Sequence, residues 1–131
     1  MPRAVNDQEF KSVSSLPAAK RYDHFVRQVA DTQEVWSLRS NSGWAMLGDS
    51  EERKYFPIWP HARYAEAFAT DGFVDHQPAL ISLNDWLARW LPGLVSDGVS
   101  VSVFPVPPGR GVPVTPERLR ADLERELQNY E

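Results

Sequence analysis

Tyr55-Phe56-Pro57-Ile58-Trp59-Pro60-His61 is the stretch on which the fold turns. Aromatic and β-branched residues around one proline make its first part a short strand. Pro57 has no N–H to give a neighbour, so the strand is expected at a sheet edge or to end early. Pro60 offers a fixed φ for the first turn of a helix. His61, Tyr64, Ala65 and Phe68 follow on one face at i, i+3, i+4 and i+7. Asp71-Gly72 supplies a stop, with Gly72 suited to the left-handed position past a helix end.

Upstream, Glu34 to Arg39 alternates, with Trp36 and Leu38 on one face, and Asn41-Ser42-Gly43 is a turn signal. Trp44 to Leu47 reads as a second strand, so this pair is expected to form a hairpin. The polar run Gly48 to Lys54 is a loop tip, and Tyr55 to Trp59 is the third strand. Before the sheet lie two helices. Asp7 to Ser15 is capped by Asn6 or Asp7, with Glu9 in the first turn. The next has Pro17 at its first position behind Ser15, and carries Tyr22, Phe25, Val26 and Val29 as one apolar stripe.

Downstream, Pro78 to Ile81 is a short apolar strand, and Ser82 with Asp85 three residues on is nearly a capping box. Leu83, Trp86, Leu87, Trp90 and Leu91 form the stripe of that helix, which Pro92-Gly93 is expected to stop. Val99 to Phe104 alternates strictly. Pro105 to Pro113 reads as a loop. Thr115, Pro116 and Glu117 open a last helix with a Leu119, Leu123, Leu127 seam and ion pairs Arg118–Asp122 and Arg120–Glu124. The expected fold is α+β: a single, mostly antiparallel sheet of about four or five strands packed with about five helices.

A chain of 131 residues suits one domain with its own core. With no cysteine, disulfides, thiolate metal sites and cysteine nucleophiles are excluded. The start of the chain has no apolar run, so no secretory signal is expected. No stretch reaches the ~20 apolar residues of a membrane span. The expectation is a soluble, cytoplasmic protein without a membrane partner. Net charge is −4 and the basic residues are dispersed, which argues against nucleic acid.

His24, His61 and His76 are the only histidines, and no zinc-binding spacing exists, so no metal and no cofactor are expected. His61, at a helix start beside Trp59, is the strongest functional candidate, although it also extends the stripe of Tyr64 and Phe68. Asp23-His24 and Asp75-His76 are set aside, because sequence neighbours seldom face each other. Ser82 sits at a strand-to-helix turn, and capping explains it. Gly109-Arg110-Gly111 could hold an anion, or be a turn with a solvated arginine. Asp49, Glu51 and Glu52 lack the spacing of a calcium loop. Five tryptophans are many for this length. Trp86 and Trp90 lie on a core stripe, whereas Trp44 and Trp59 flank turns or strand ends, where they are either half-exposed binding anchors or part of the aromatic core of a small domain.

The block Tyr55 to Ala65 resembles the DUF2750 family, bacterial proteins of unknown function. Glu34-Val35-Trp36-Ser37-Leu38, Gly43-Trp44-Ala45, Trp90-Leu91-Pro92-Gly93-Leu94, Asp97-Gly98-Val99, Val103-Phe104-Pro105 and Val114-Thr115-Pro116-Glu117 fit it in order. The likeness covers roughly residues 16 to 131, leaving residues 1–15 as an extra N-terminal helix on a single domain spanning 1–131. It implies a compact bacterial cytosolic domain and transfers no catalytic residue. The leading expectation is therefore a non-catalytic protein-binding module, in its specific form an immunity- or antitoxin-like protein that blocks a basic toxin. Its surface would carry Trp44, Trp59, His61 and the Pro105–Pro113 loop, with the Asp49–Lys54 tip assisting. The alternative is a binder of an anionic small molecule, or an enzyme, with a pocket of Trp59, His61, Tyr64 and Arg110. A homodimer through Val99–Phe104 is the third expectation, if that strand is an edge.

Overall fold

The structure, a computed structural model, describes residues 5–49, 51–69, 73–107 and 111–130. Its elements run α1 (Asp7–Ser14), α2 (Ala18–Thr32), β1 (Glu34–Ser40), β2 (Gly43–Trp44), β3 (Leu47–Gly48), β4 (Lys54–Ile58), α3 (Ala62–Phe68), β5 (Gln77–Ser82), α4 (Leu83–Asp85), a π-helical turn (Trp86–Trp90), α5 (Leu91–Asp97), β6 (Ser100–Val103), β7 (Val112–Val114) and α6 (Pro116–Leu127). The architecture is α+β, but the expected single sheet is in fact two. One has the order β2-β1-β5 and the other β3-β4-β6-β7. Only the β4–β6 pair is parallel.

The division begins at Ala45 and Met46. Trp44 pairs with Arg39 of β1, whereas Leu47 pairs with Tyr55 of β4, so the expected single strand from Trp44 to Leu47 hands the chain from one sheet to the other. Pro57 explains how the sheets rejoin. It is not on a free edge, since β4 lies between β3 and β6. Yet β3 ends after pairing Lys54 and Tyr55, and past that point the same side of β4 meets β1 through reciprocal backbone bonds between Trp36 and Trp59, of 3.0 and 2.8 Å. Backbone groups alternate sides along a strand, so Pro57 faces this gap, where no N–H is required. The buried Ser37 hydroxyl crosses it and donates to the Pro57 carbonyl at 2.6 Å.

The helix after β5 also departs from expectation. Ser82 caps it by accepting from the Asp85 N–H at 3.1 Å, as its sequence implies. Pro92-Gly93 does not stop it. The helix widens into the π turn, passes through Pro92 and ends at Gly98 in the left-handed conformation. In the π turn the Leu91 N–H reaches the Trp86 carbonyl. The next bond of that series would need an N–H at position 92, which proline lacks. The guanidinium of Arg120, on α6, donates to the stranded Leu87 carbonyl instead. Replacing Arg120 by methionine is expected to cost about 2 kcal/mol, the range for a charged bond to a buried carbonyl. The penalty should shrink in a Pro92→Ala background, where an N–H returns. Urea denaturation of the four members of that cycle measures the coupling.

The Pro105–Pro113 loop contains the start of a short strand, β7, which pairs with β6 through Val112 and Pro113. β6 is consequently interior, flanked by β4 and β7, and the Val99–Phe104 strand has no free edge for a homodimer. Pro17 caps α2 rather than opening it, and no side chain caps that end. Asp71 and Gly72, the expected stop of α3, lie outside the described residues.

The core joins Phe25 and Val29 of α2, Leu119 and Leu123 of α6, Phe56 and Ile58 of β4, Val101 and Val103 of β6, and Trp86. At about 25 cal/mol per Å² of apolar surface, such side chains each contribute roughly 1.5–3 kcal/mol when fully buried. The N-terminal helix α1 is held by Arg63. Its guanidinium donates to the Val5 carbonyl at 2.7 Å, pairs with Asp7 and lies 4.7 Å over the Phe10 ring.

Candidate functional site

His61 is the N-cap of α3. Its Nδ1 accepts from the Arg63 N–H at 3.0 Å, which requires the tautomer with the proton on Nε2. Capping, a local backbone need, therefore places His61. Trp59 is fully buried, and its Nε1–H donates to the Pro105 carbonyl at 2.9 Å. That corrects its expected place as a half-exposed anchor: a side chain beginning a new helix after a strand crosses the interior and fastens the proline-rich loop from below. Tyr64 is buried as well, stacked 5.5 Å from Phe10 and 4.8 Å from Phe104. The cavity that His61 and Tyr64 share with His24, Gln28 and Glu34 holds about 10 Å³. Water itself needs at least about 10–15 Å³, so this cavity is too small for an organic ligand, whereas Tyr64 also lines a separate hollow of about 210 Å³ with Phe10, Ala67 and Pro105. Arg110, the expected anion grip, lies outside the described residues.

Trp44 belongs to a different neighbourhood. Its ring meets Trp90 edge-on at 4.8 Å and Phe56 at 5.9 Å, and the Arg39 guanidinium sits 5.3 Å from its centroid. Phe56 and Trp90 in turn lie against Trp86. Trp44 and Trp90 are thus half-buried, their inner edges fixed in the core. Nearby in sequence, Met46 is exposed, as are Leu80 and Val95 elsewhere on the surface. The structure does not bring Trp44 together with Trp59, His61 or Tyr64. It joins Trp44 to Arg39 and Trp90, which sequence reasoning missed. Trp90 falls at the margin of its helical stripe and reads as core, and nothing in the spacing shows which strand lies beneath it.

A larger groove, of about 520 Å³, runs between α2, β7 and α6. At its floor the Asp122 carboxylate accepts from the Tyr22 hydroxyl at 2.5 Å and faces Arg118 and Arg125 at 3.5 Å each. Burial, and then the bond to Asp122, push the Tyr22 phenol well above its usual range, so it stays a neutral donor. Arg27, Arg118 and Arg125 line the groove together with Asp23, Asp122 and Glu126. Their formal charges cancel, which leaves little net pull on an anion. The Asp49 loop is ordered by similar local bonds. Desolvation would raise the Asp49 carboxyl, but the Arg53 and Glu51 N–H groups, the Arg53 side chain and the Tyr55 hydroxyl outweigh it and hold it below the usual range. His76 Nδ1 does lie 2.9 Å from Asp75, contrary to the expectation for adjacent residues. No further acid or base is placed on that pair among the described residues.

No group of three or more His, Asp or Glu that could hold a metal ion occurs among the described residues. No helix among them is long and apolar enough to cross a membrane. The family model for DUF2750, a protein of unknown function, matches residues 22–123. The chain belongs to the DUF2750 family. The match takes in both sheets and the arginine–tryptophan cluster, and begins inside α2. No curated protein matches the chain.

Proposed function

We propose that this DUF2750 protein is a non-catalytic module that binds another protein through the face formed by Arg39, Trp44 and Trp90. The observation that carries the reading is the stack itself: Arg39 lies 5.3 Å from the Trp44 centroid, and Trp44 lies edge-on to Trp90 at 4.8 Å. Tryptophan and arginine dominate protein-binding hot spots. Here both rings are immobilised by the core on one side, so a partner would meet anchors whose rotamer entropy is already spent. A purely structural cluster would satisfy the same contacts; the binding role is favoured by the exposure of Arg39, and of Met46 two residues along the chain from Trp44. The specific form, an immunity- or antitoxin-like protein for a basic toxin-like partner, is supported by the net charge of −4.

Arg39→Ala and Met46→Asp, both at exposed positions, test the surface without opening the core. Affinity capture from the source cells, followed by titration of the recovered protein, should show each variant weakened by about 2 kcal/mol, roughly thirtyfold in Kd. Unchanged affinity in both variants would place binding elsewhere. Recovery of no stoichiometric partner would sink the reading.

A further inference from the structure

Of the sheet edges among the described residues, β5 offers the longest. β2 and β3 have two residues each, β7 has three with Pro113 in the middle, and β5 has six. Its inner side pairs with β1 along its full length. Because Trp36 turns its backbone groups toward Trp59, the Trp36↔Leu80 pair exchanges no bonds, and the N–H and carbonyl of Leu80 point outward. Pro78 and Ser82, in the same phase, also face out. Leu80 adds a side chain that is 50% exposed.

The outward groups are complementary to themselves. Leu80 supplies a donor and an acceptor. Pro78 supplies only an acceptor. Ser82 supplies a donor, its hydroxyl being taken up in capping the helix that follows. In an antiparallel copy centred on Leu80, the two Leu80 residues exchange both bonds, and each Ser82 N–H donates to the mate's Pro78 carbonyl. The donor missing from Pro78 falls opposite the Ser82 carbonyl, at the exposed end of the strand. Sliding the register so that Leu80 faces Pro78 leaves the Leu80 carbonyl without a donor. A proline commonly blunts a sheet edge. Here its carbonyl still accepts from the mate's Ser82 N–H.

We infer that two copies of this chain associate through β5, antiparallel and centred on Leu80, fusing two three-stranded sheets into one. The Leu80 side chains meet across the two-fold axis on the same face, since directly opposed residues of an antiparallel pair share a face. β2, with Trp44, lies on the far side of β1, so the dimer leaves the proposed partner-binding face open. The two surfaces stand or fall separately.

Light scattering after gel filtration, run from low to high micromolar concentration, tests the dimer. The expected mass approaches twice the 14.9 kDa of one chain as concentration rises. Leu80→Lys sets two like charges against each other at the axis. It should weaken association by about a hundredfold or more while leaving circular dichroism, and the melting curve of the dilute monomer, unchanged. Amide exchange on the wild-type chain supplies a reading that needs no variant: the Leu80 and Ser82 N–H groups should exchange more slowly as concentration rises. A mass of one chain throughout, concentration-independent exchange at Leu80, or a dimer that persists in a folded Leu80→Lys variant would each overturn the inference.

Discussion

Trp59→Ala is expected to bring the domain close to unfolding. Truncating a buried tryptophan generally costs about 3–5 kcal/mol, and a domain of this size has only about 5–15 kcal/mol in hand. Trp59 is completely buried against Phe68, at 5.3 Å between rings. Its Nε1–H is also the donor to the Pro105 carbonyl. Losing that donor strands a buried acceptor and adds about 1–3 kcal/mol. Urea denaturation followed by circular dichroism measures the loss. A variant within about 1 kcal/mol of wild type would contradict the burial of this ring. Trp86 provides an internal control. It is equally buried, but its Nε1 has no partner among the described residues. Trp86→Phe therefore removes an unsatisfied donor, whereas Trp59→Phe removes a satisfied one. Trp86→Phe should be the milder of the two by about 1 kcal/mol. Trp59 is accordingly a poor probe of binding, since any partner lost with it would be lost to unfolding.

The contrast between Trp59 and Trp44 shows where sequence reading stops. Both flank a turn or strand end, and their local patterns do not distinguish them. Trp59 is buried because β1 closes over its backbone and the proline-rich loop over its ring, and both contacts come from distant segments. Local chemistry was readable at three helix starts. Asn6, Ser82 and Thr115 cap their helices because a side-chain oxygen next to a bare N–H needs no information from elsewhere. The stripe on α2 likewise marks a buried face. The alternation at β6 marks a strand but not its burial, since Ser102 is buried along with Val101 and Val103. Strand neighbours were not readable. Nothing between Trp44 and Leu47 announces a change of sheet, and β7 has only Val112, Pro113 and Val114 in which to show a pattern. Pro92 misled for a related reason. Its missing N–H is a local defect, but the repair comes from Arg120 on another helix. The arginine–tryptophan cluster combines β1, β2 and the π turn, so its assembly depended on this same unreadable pairing.

Gly111→Ala is expected to destabilise the protein by about 3 kcal/mol, for two reasons that can be measured apart. Gly111 has φ +80°, in the left-handed region where an L side chain costs roughly 1–2 kcal/mol. A Cβ built there would also lie 2.7 Å from the Val103 carbonyl, 2.8 Å from the Pro105 nitrogen and 2.8 Å from the Ser102 hydroxyl. Those first two atoms are backbone at the end of β6, held by its neighbours, and cannot retreat without moving the strand. Overpacking of this kind adds about 1–3 kcal/mol. Gly98 has φ +69° with nothing within 4 Å of its Cβ position, so Gly98→Ala isolates the conformational part at about 1–2 kcal/mol. Gly93 lies inside α5 with open space and no positive φ, and Gly93→Ala should stabilise by about 0.5–1 kcal/mol. Thermal melts of the three variants should thus rank Gly93→Ala above wild type, Gly98→Ala below it and Gly111→Ala lowest, with each kcal/mol moving Tm by about 3–5 °C. Equal melting of Gly98→Ala and Gly111→Ala would mean that β7 does not approach β6 as closely as the register requires. The proline-rich loop would then not be fixed over Trp59 as described.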